Sequence, residues 1–517
     1  MKTFRHKLFW LIPLTIIIVS LAILYFINLQ RFTAPPSENW SRELKIATID
    51  SFYAPQVESK DETTHLYYVE DGNLKAAKYD SNYDLIERNT ILTKPKLEDF
   101  YVYQDNIILY NDGAILDGAT NEKLDQATLF QRGTNEQLFY AKGQEVYSLN
   151  IETTESNKLF NVAHPIEKIQ AVEDLILVYS SNLNRGSFSI YRKTDENTYK
   201  QLLQEDINIG VSNQINQIEL TAHDQTVYVA VTGESQSTEN KKFYFYYSSF
   251  PIDDSTVELT QVQPMDPVTN RPLDNLSHVK LRIVDGKLQA LFRSVGFTFK
   301  DTNDKHAMNI YSINFTGDAD SVVQHSNTYS VSSDPMYFGE NAVLWKESSG
   351  QQKYDLFLSS TNEKIMEQTR SKTMEEYLVA FGISISNLAT SAFVLLLVMG
   401  WLLIPIVYLI IANIIYRIKG RNHDMNESNL VFFIGVILFV IGALLMRNFL
   451  FPTNGYSTAP SYITFDGSSI IYILLFAAIA LISVLLVKRE WGTIGKYAYF
   501  IGIQYLCYLL FLGPFYF

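Results

Sequence analysis

The sequence has almost no cysteine, because Cys507 is the single cysteine in 517 residues. No disulfide can form within the chain, which excludes the small disulfide-stapled folds of many secreted proteins. The sequence also contains no G-x-S-x-G, H-E-x-x-H, Walker, G-x-G-x-x-G or C-x-x-C motif, and none of its 8 histidines has the spacing of a zinc site. No catalytic residue, metal ligand or cofactor is therefore predicted from motifs.

Charged residues are scarce at both ends of the chain. Residues 1–31 hold 4 Lys and Arg and no Asp or Glu, and residues 379–517 hold 7 Lys and Arg and 4 Asp and Glu. The middle of the chain keeps 31 Lys and Arg against 51 Asp and Glu, a net charge near −20, compared with −13 for the whole chain. A domain this acidic repels polyanions, so nucleic acid is not an expected partner.

Long uncharged runs predict five transmembrane helices and make the lipid bilayer an expected partner. The runs are Leu8 to Leu29, Leu388 to Tyr416, Leu430 to Met446, Ser469 to Val487 and Tyr497 to Phe517. The first run follows Lys2, Arg5 and Lys7. It exceeds the apolar region of a cleaved signal peptide, which spans about 7–15 residues. We interpret this first run as a retained signal anchor.

The basic residues predict the orientation of these helices, because Lys and Arg collect in cytoplasmic loops. Three of them occupy residues 417–429 and three occupy residues 488–496, whereas residues 447–468 contain one. The N-terminus and both basic loops are therefore expected in the cytoplasm. Residues 32–387 are then expected outside the membrane, in a multi-pass protein of the cell membrane.

The predicted domain order follows from these boundaries. It consists of a cytoplasmic tail and anchor (1–31), an extracytoplasmic domain (32–361), a juxtamembrane stalk (362–387) and a four-helix transmembrane domain (388–517). Asn362 is the predicted N-cap of a helix in the stalk. A large exported domain without a disulfide favours a bacterial envelope over eukaryotic secretion.

The middle of the chain consists of short runs rich in Tyr, Phe, Val and Ile, separated by turn dipeptides. Asp71-Gly72, Asp112-Gly113 and Asp285-Gly286 each join two such runs. Glycine supplies the positive φ that tight hairpins require. The pattern predicts an all-β domain.

A strand–turn–strand pattern recurs seven times along this domain. The repeats begin at about Leu66, Phe100, Leu138, Leu175, Val227, Leu288 and Val343. A four-stranded propeller blade takes roughly 40–50 residues, so the repeats predict a seven-bladed β-propeller, with insertions around 232–242 and 299–307. A strand at Leu44 to Phe52 is expected to close the ring with the last blade. A pair of β-sandwiches is the alternative fold.

The hairpins of the type Leu66-Tyr67-Tyr68-Val69, followed by Asp71-Gly72-Asn73-Leu74, resemble those of bacterial membrane-anchored β-propeller proteins. The resemblance covers about residues 42–360. It implies a fold class and no particular family, because no WD dipeptide or other repeat-specific signature is present.

Two groups of residues are weak candidates for a binding site. Asp301 and Asp304 in one loop, and Asp318 and Asp320 in another, offer the oxygen ligands that calcium prefers. Neither loop matches an ordered calcium-binding loop, so solvated turns are the favoured interpretation. The aromatic run at 243–247 is interpreted as a buried strand rather than a ligand platform.

The predicted membrane helices carry almost no ionisable side chain, which disfavours a pump or channel. Asn413 and Gln504 are interpreted as helix–helix hydrogen-bonding contacts. Gly435, Gly442 and Ala443 offer a small-residue surface, either for a membrane partner or for packing within the bundle.

These observations predict a multi-pass membrane protein that presents an extracytoplasmic propeller as a binding or scaffolding module, in a cell-envelope complex or as a sensor. The expected partners are other membrane or envelope proteins and an extracellular peptide or polymer. One alternative is an envelope enzyme, which needs carboxylates that converge on the propeller channel. The other is an accessory subunit of a transporter, which needs a polar path lined by Asn413 and Gln504.

Overall fold

A computed structural model describes most of the chain. The described residues are 2–60, 62–134, 136–182, 185–195, 198–210, 213–235, 241–252, 257–298, 300, 306–315, 321–328, 330–418, 425–451, 459–487 and 491–515. They form two compact units. One unit combines Met1–Ala34 with Lys372–Phe517, and the other is Pro35–Ser371.

The unit Pro35–Ser371 contains seven antiparallel sheets of four strands each, which we number as blades 1 to 7. The first strand, β1, is Leu44–Asp50. The others are β2–β5 in blade 1 (Gln56–Lys60, Thr63–Glu70, Asn73–Tyr79, Leu85–Leu92), β6–β9 in blade 2 (Asp99–Tyr103, Asn106–Asn111, Ala114–Asp117, Lys123–Gln126), β10–β13 in blade 3 (Leu129–Thr134, Gln137–Lys142, Glu145–Asn150, Ser156–Asn161), β14–β17 in blade 4 (Ile166–Val172, Leu175–Asn182, Arg185–Asp195, Thr198–Ile207), β18–β21 in blade 5 (Asn213–His223, Thr226–Ser235, Phe243–Pro251, Thr260–Val262), β22–β25 in blade 6 (Asp274–Val284, Lys287–Phe297, His306–Asn314, Ser321–Gln324), and β26–β28 in blade 7 (Ser332–Tyr337, Ala342–Gly350, Lys353–Ser360).

The helices precede and follow these strands in the sequence. They are α1 (Lys2–Phe32), α2 (Glu363–Arg370), α3 (Met374–Val398), α4 (Leu403–Ile418), α5 (Asn429–Leu445), α6 (Ser461–Thr464), α7 (Ser468–Leu486) and α8 (Thr493–Cys507). Short 3₁₀ turns occur at Met399–Leu402, Met425–Glu427, Arg447–Phe449 and Gly513–Phe515, and a π turn occurs at Tyr508–Leu512.

The sheet order is that of a seven-bladed β-propeller, which confirms the predicted fold and excludes the sandwich alternative. Each of the seven sequence repeats falls in a different blade. Six begin on the second strand of their blade, and the repeat at Phe100 begins on the first strand of blade 2. The predicted insertions lengthen the connections between the second and third strands of blades 5 and 6, which lie partly outside the described residues.

The N-terminal strand β1 closes the ring. It pairs antiparallel with β28, with Ile49 opposite Tyr354, and so supplies the fourth strand of blade 7. Ile49 is 1% exposed and packs in the core between blades 7 and 1. The predicted closure is therefore confirmed, and it joins the two ends of the unit within one sheet.

The core consists of seven hydrophobic layers, one between each pair of neighbouring blades. Between blades 5 and 6, for example, Phe245 packs against Phe292 with ring centroids 6.3 Å apart. Each sheet thus buries apolar side chains on both faces. The first strands of adjacent blades contact one another, as β14 and β18 do, and form the inner ring of the propeller.

Helix α2 belongs to the propeller unit. The side chain of Asn362 accepts a hydrogen bond from the backbone N–H of Lys364 at 2.9 Å, which confirms the predicted N-cap. Ile365 of α2 is buried between blades 7 and 1. Arg42 donates to the carbonyl of Thr369 at 3.1 Å. The chain segments that enter and leave the propeller unit are thus hydrogen-bonded to each other.

The other unit contains the apolar helices. Among the described residues, five segments are long and apolar enough to cross a membrane: Leu8–Phe32, Met374–Val394, Met399–Ile418, Ser468–Leu486 and Thr493–Phe515. Their number equals the predicted five, but the boundaries of two segments differ from the predicted runs. The predicted run Leu388 to Tyr416 contains parts of two segments, and α5, which matches Leu430 to Met446, is a shorter apolar helix of 17 residues.

The division of the run Leu388 to Tyr416 has a local cause. A 3₁₀ turn at Met399–Leu402 separates α3 from α4, and Pro405 is the third residue of α4. Proline has no N–H to donate to the carbonyl of Trp401, so a continuous α-helix would lose a hydrogen bond there. In the first turn of a new helix the N–H groups have no intrahelical partner, so proline costs little. The break therefore lies just before Pro405.

Contacts within the helical unit define its two ends. Near one end, Tyr499 of α8 donates to the carbonyl of Phe9 in α1 at 3.2 Å, and Lys496 donates to Asn429 at 2.9 Å. Near the other end, the Arg31 guanidinium lies 5.4 Å from the Phe515 ring. The start of α1, the start of α5 and the start of α8 therefore meet at one end. We call it the basic end because the basic connectors 417–429 and 488–496 lead into α5 and α8 in the sequence.

Candidate binding sites of the propeller

Three glutamines on inner strands connect neighbouring blades. The pairs are Gln56 with Val102, Gln170 with Leu220 and Gln217 with Val279. In each pair the glutamine side chain donates to the backbone carbonyl and accepts from the backbone N–H of the next inner strand, at 2.6–3.1 Å. These bonds fix the spacing of inner strands around the ring. The sequence analysis missed them, because a glutamine in a strand gives no sign of its partner.

A buried carboxylate on the inner ring is neutralised by two lysines. Glu219 on β18 is 3% exposed and lies 2.6 Å from the Lys168 Nζ and 3.4 Å from the Lys280 Nζ. Burial favours the neutral carboxyl, but the two lysines and hydrogen bonds outweigh it and hold the pKa of Glu219 below its usual value. Glu219 is therefore a charged, fully paired group.

A second carboxylate of the inner ring is also paired. Asp334 on β26 is bonded to His278 Nδ1 and to Lys346 Nζ. Burial opposes ionisation of Asp334, but these two partners hold its pKa well below the usual value. A general acid needs a carboxyl with a raised pKa. Neither Glu219 nor Asp334 meets that requirement.

Among the described Asp and Glu residues with a resolved shift, only Glu347 has a raised pKa, and burial is the main cause. Its Oε1 accepts from the indole Nε1 of Trp345 at 2.7 Å and from Ser332 Oγ at 3.1 Å. Glu347 is buried, and His325 is buried in the same region between blades 6 and 7. Both side chains are therefore not accessible to a substrate from solution.

A cleft of 630 Å³ lies between blades 5 and 6, and we call it the aromatic cleft. Its lining residues are Tyr228, Tyr247, Thr260, Gln261, Val262, Gln263, Gly286, Lys287, Leu288 and Phe315. None of them is Asp or Glu, although the domain is strongly acidic. The rings of Tyr247 and Phe315 stack with centroids 4.6 Å apart.

The aromatic run at 243–247 forms part of β20 and divides between core and cleft. Phe245 is buried, as the sequence analysis predicts for a strand. Tyr247 lies on the same face two residues further along and is half-buried in the wall of the aromatic cleft. The sequence alone does not show this, because the opposite wall comes from blade 6.

A second cleft, of 550 Å³, lies between blades 1 and 2. Its lining includes Glu58, Lys60, His65 and Asp105. Burial and the nearby Lys78 lower the pKa of His65. This cleft mixes both signs of charge, in contrast to the aromatic cleft.

The predicted calcium candidates Asp301, Asp304, Asp318 and Asp320 all lie outside the described residues. Within the part of the chain that the structure describes, no group of three or more His, Cys, Asp or Glu side chains is arranged to hold a metal ion. The calcium hypothesis stays a prediction.

The polar residues of the predicted membrane helices lie apart. Asn413 is exposed on α4, whereas Gln504 of α8 is buried and donates to the Tyr508 hydroxyl at 2.9 Å. The two side chains do not belong to one polar cluster among the described residues. Gly435 and Gly442 of α5 pack within the helical unit, Gly435 against Tyr497 and Tyr408 and Gly442 against Ile404.

No protein-family model matches the chain, and no curated protein matches it. Among solved structures, the chain is similar to the N-terminal domain of Nup159, with 8% sequence identity over 62% of this chain and 96% of that chain and a TM-score of 0.38. It is similar to the β-propeller domain of the trilobed protease from Pyrococcus furiosus (13%, 61% and 94%, TM-score 0.35) and to the WD40 domain of Toxoplasma gondii coronin (10%, 62% and 86%, TM-score 0.34). These similarities concern the propeller fold alone.

Proposed function

We propose that this chain is a multi-pass membrane protein that holds its propeller on the extracytoplasmic side as a binding or scaffolding module, within a bacterial cell-envelope complex or as a sensor. The observation that carries the proposal is the aromatic cleft, a preformed opening on a rigid β-scaffold in a chain that also has five candidate membrane spans. Glu219 and Asp334 on the inner ring are paired with lysine and histidine side chains, so neither is suited to act as a general acid. This favours binding over acid–base catalysis.

The orientation part of the proposal rests on the basic end of the helical unit. Basic residues collect on the cytoplasmic side of membrane proteins. The starts of α1, α5 and α8 meet at that end, and the basic connectors 417–429 and 488–496 lead into α5 and α8 in the sequence. With the basic end in the cytoplasm, α1 leads the chain outward to the propeller.

Site-directed labelling tests the orientation. Cys507 is the only cysteine and is buried, so Cys507→Ser gives a cysteine-free background. Ser249→Cys introduces one thiol at an exposed position of β20, and Glu427→Cys introduces one beside the basic end. We expect a membrane-impermeant maleimide to label Ser249→Cys on intact cells, and Glu427→Cys only after permeabilisation. The reverse pattern would refute the proposed orientation.

Photo-crosslinking in native membranes tests the binding role. A photo-reactive amino acid in place of Lys287 lies at the aromatic cleft, and one in place of Lys200 lies on the exposed strand β17 of the neighbouring blade. We expect a discrete adduct from the position of Lys287 and none from that of Lys200. No adduct at either position would contradict a binding module that uses this cleft.

A further inference from the structure

We infer that the aromatic cleft binds the sugar rings of a neutral oligosaccharide or polysaccharide. The inference rests on the proposed function and names the ligand class of its main site.

The strand register places the aromatic and hydroxyl groups of the cleft on one face of blade 5. Tyr247 of β20 is opposite Ala230 of β19 on one side and opposite Thr260 of β21 on the other. Tyr228 is opposite Ser249, two residues from Tyr247. Directly paired residues share a face of the sheet, as do residues two apart on one strand. Tyr228, Tyr247 and Thr260 therefore project from the same face of blade 5, towards blade 6.

Contacts from blade 6 hold the aromatic wall in place. Tyr247 stacks on Phe315 with an interplanar angle of 30°. The backbone N–H of Phe315 donates to the carbonyl of Leu288 at 3.0 Å, and Leu288 is itself buried. The Phe315 ring also approaches Phe245 of the core at 6.4 Å. The cleft is thus preorganised, which reduces the entropy that binding must overcome.

The chemistry of the cleft matches a sugar ring. A pyranose presents a face of C–H groups, which packs on an aromatic face, and a rim of hydroxyl groups. The hydroxyls of Tyr228, Tyr247 and Thr260 can donate to or accept from that rim, and the Gln263 amide and Lys287 ammonium add further donors.

The charges of the cleft favour a neutral ligand. None of the described lining residues is a carboxylate, so a cationic ligand finds no ion-pair partner among them. Among the same described residues, Lys287 has the only cationic side chain. A polyanion would have to approach against the net charge near −20 of the surrounding domain, which opposes its association.

A peptide is the competing ligand class. Peptides that add to a sheet edge gain affinity from a row of backbone hydrogen bonds. The outer strand of the cleft, β21, has 3 residues, and one of its edges is already paired with β20. Few backbone groups therefore remain for an extended peptide, whereas the aromatic and hydroxyl groups remain available to a sugar.

Binding to the full chain in lipid nanodiscs tests the inference. The probes are hexamers of β-1,4-linked glucose, of N-acetylglucosamine and of mannose, with hexagalacturonate as the anionic probe and decaproline as the peptide probe. We expect at least one neutral hexamer to bind, and Tyr247→Ala to weaken its affinity by about tenfold or more through loss of the ring face. Tyr247→Phe, which keeps the ring, is expected to retain more affinity than Tyr247→Ala.

Tyr244→Ala is the matched control, because Tyr244 lies on the same strand but on the opposite face. It is expected to leave the affinity unchanged. Thr260→Arg removes no buried side chain and fills the cleft, so it should abolish binding even if Tyr247→Ala fails to fold. Absence of binding by all neutral hexamers at millimolar concentration, or binding of hexagalacturonate or decaproline alone, would overturn the inference. Surface labelling of Ser249→Cys on intact cells, a separate measurement, distinguishes that result from a failure of the proposed orientation.

Discussion

A glutamine side chain carries one acceptor and one paired donor group, the same two functions that a peptide unit presents. Gln56 therefore satisfies both the N–H and the C=O of Val102 on the next blade. A carboxylate could not donate to the carbonyl, and a lysine could not accept from the N–H. The glutamines at Gln170 and Gln217 repeat this geometry, so the blades are joined by polar bonds as well as by hydrophobic layers.

We expect Gln56→Ala to lower the free energy of unfolding by about 1–3 kcal/mol, because it leaves a buried N–H and C=O without partners. Thermal or urea unfolding of the purified chain, followed by intrinsic fluorescence, measures the change. Gln201→Ala, at an exposed position on β17, is the control and should stay within about 0.5 kcal/mol of the wild type. Equal effects of the two substitutions would show that the bonds of Gln56 add no stability.

His325 makes the propeller sensitive to mild acid. Burial, helped by the positive charge of Arg282, lowers its pKa to about 3, whereas the unfolded chain has an ordinary histidine pKa of 6.5. The unfolded state therefore binds a proton between these values and the folded state does not. Stability is full above pH 6.5 and falls as the pH drops below it, by about 2 kcal/mol at pH 5.

Replacing His325 by glutamine removes the titrating group and keeps a partner for Ser312, which lies 2.7 Å from His325 Nε2. We expect the stability of His325→Gln to fall less than that of the wild type between pH 7 and pH 5, because the variant lacks the histidine that binds a proton on unfolding. Unfolding midpoints at the two pH values measure it. His223→Gln, at a partly exposed site, is the matched substitution of a histidine that is not buried. An unchanged pH dependence in His325→Gln would contradict the assignment.

Strand β1 joins the two ends of the propeller unit, because it pairs with β28 in blade 7. We expect Ile49→Ala in β1 to cost about 2–5 kcal/mol, the usual effect of a cavity at a buried isoleucine. Ile86→Ala in β5 is the matched control, since Ile86 also lies on an outermost strand but is 55% exposed. Its effect should stay within about 0.5 kcal/mol. Unfolding midpoints that change equally would argue that the closure contributes little.

The blades could be predicted from the sequence because their second strands are buried on both faces. Leu138 and Val227, for example, are the second residues of two such strands. The buried apolar residues of each strand divide between the two interblade layers on either side of it. A strand of this kind produces an unbroken apolar run next to a turn dipeptide. That pattern marks the second strand in six of the seven blades, and the repeat at Phe100 marks the remaining blade, so the blade number followed from the repeats.

The helix boundaries were harder to predict. Hydropathy is continuous over residues 388–416, and the 3₁₀ turn at Met399–Leu402 is made of apolar residues and glycine. Composition therefore gives no sign of the break, which depends on where Pro405 falls relative to the start of a helical turn. The aromatic cleft was also invisible, because its walls lie on two blades and its residues range from Tyr228 to Phe315 along the chain.

At the scale of the whole molecule, the propeller unit and the helical unit differ in charge and in the number of chain segments that form them. The acidic residues are concentrated in the propeller, and the helical unit is composed of chain segments from both ends of the sequence. The propeller is therefore an insertion between α1 and α3. Such an arrangement requires α1 to associate with the C-terminal helices through side-chain contacts, because the covalent path between them runs through the entire propeller.

This requirement can be tested by cutting the chain between the two units. A protease site placed at residues 372–373 divides the protein into a fragment with α1 and the propeller and a fragment with α3 to α8. We expect both fragments to copurify in mild detergent, because Asn28 donates to Ser384 at 3.0 Å and Tyr499 bonds to the carbonyl of Phe9. Replacing α1 by a polyleucine helix of equal length keeps a membrane anchor but removes these contacts, and should release the fragments. Separation of the cut protein with its native α1 would show that the helices from the two ends of the chain do not form one stable bundle.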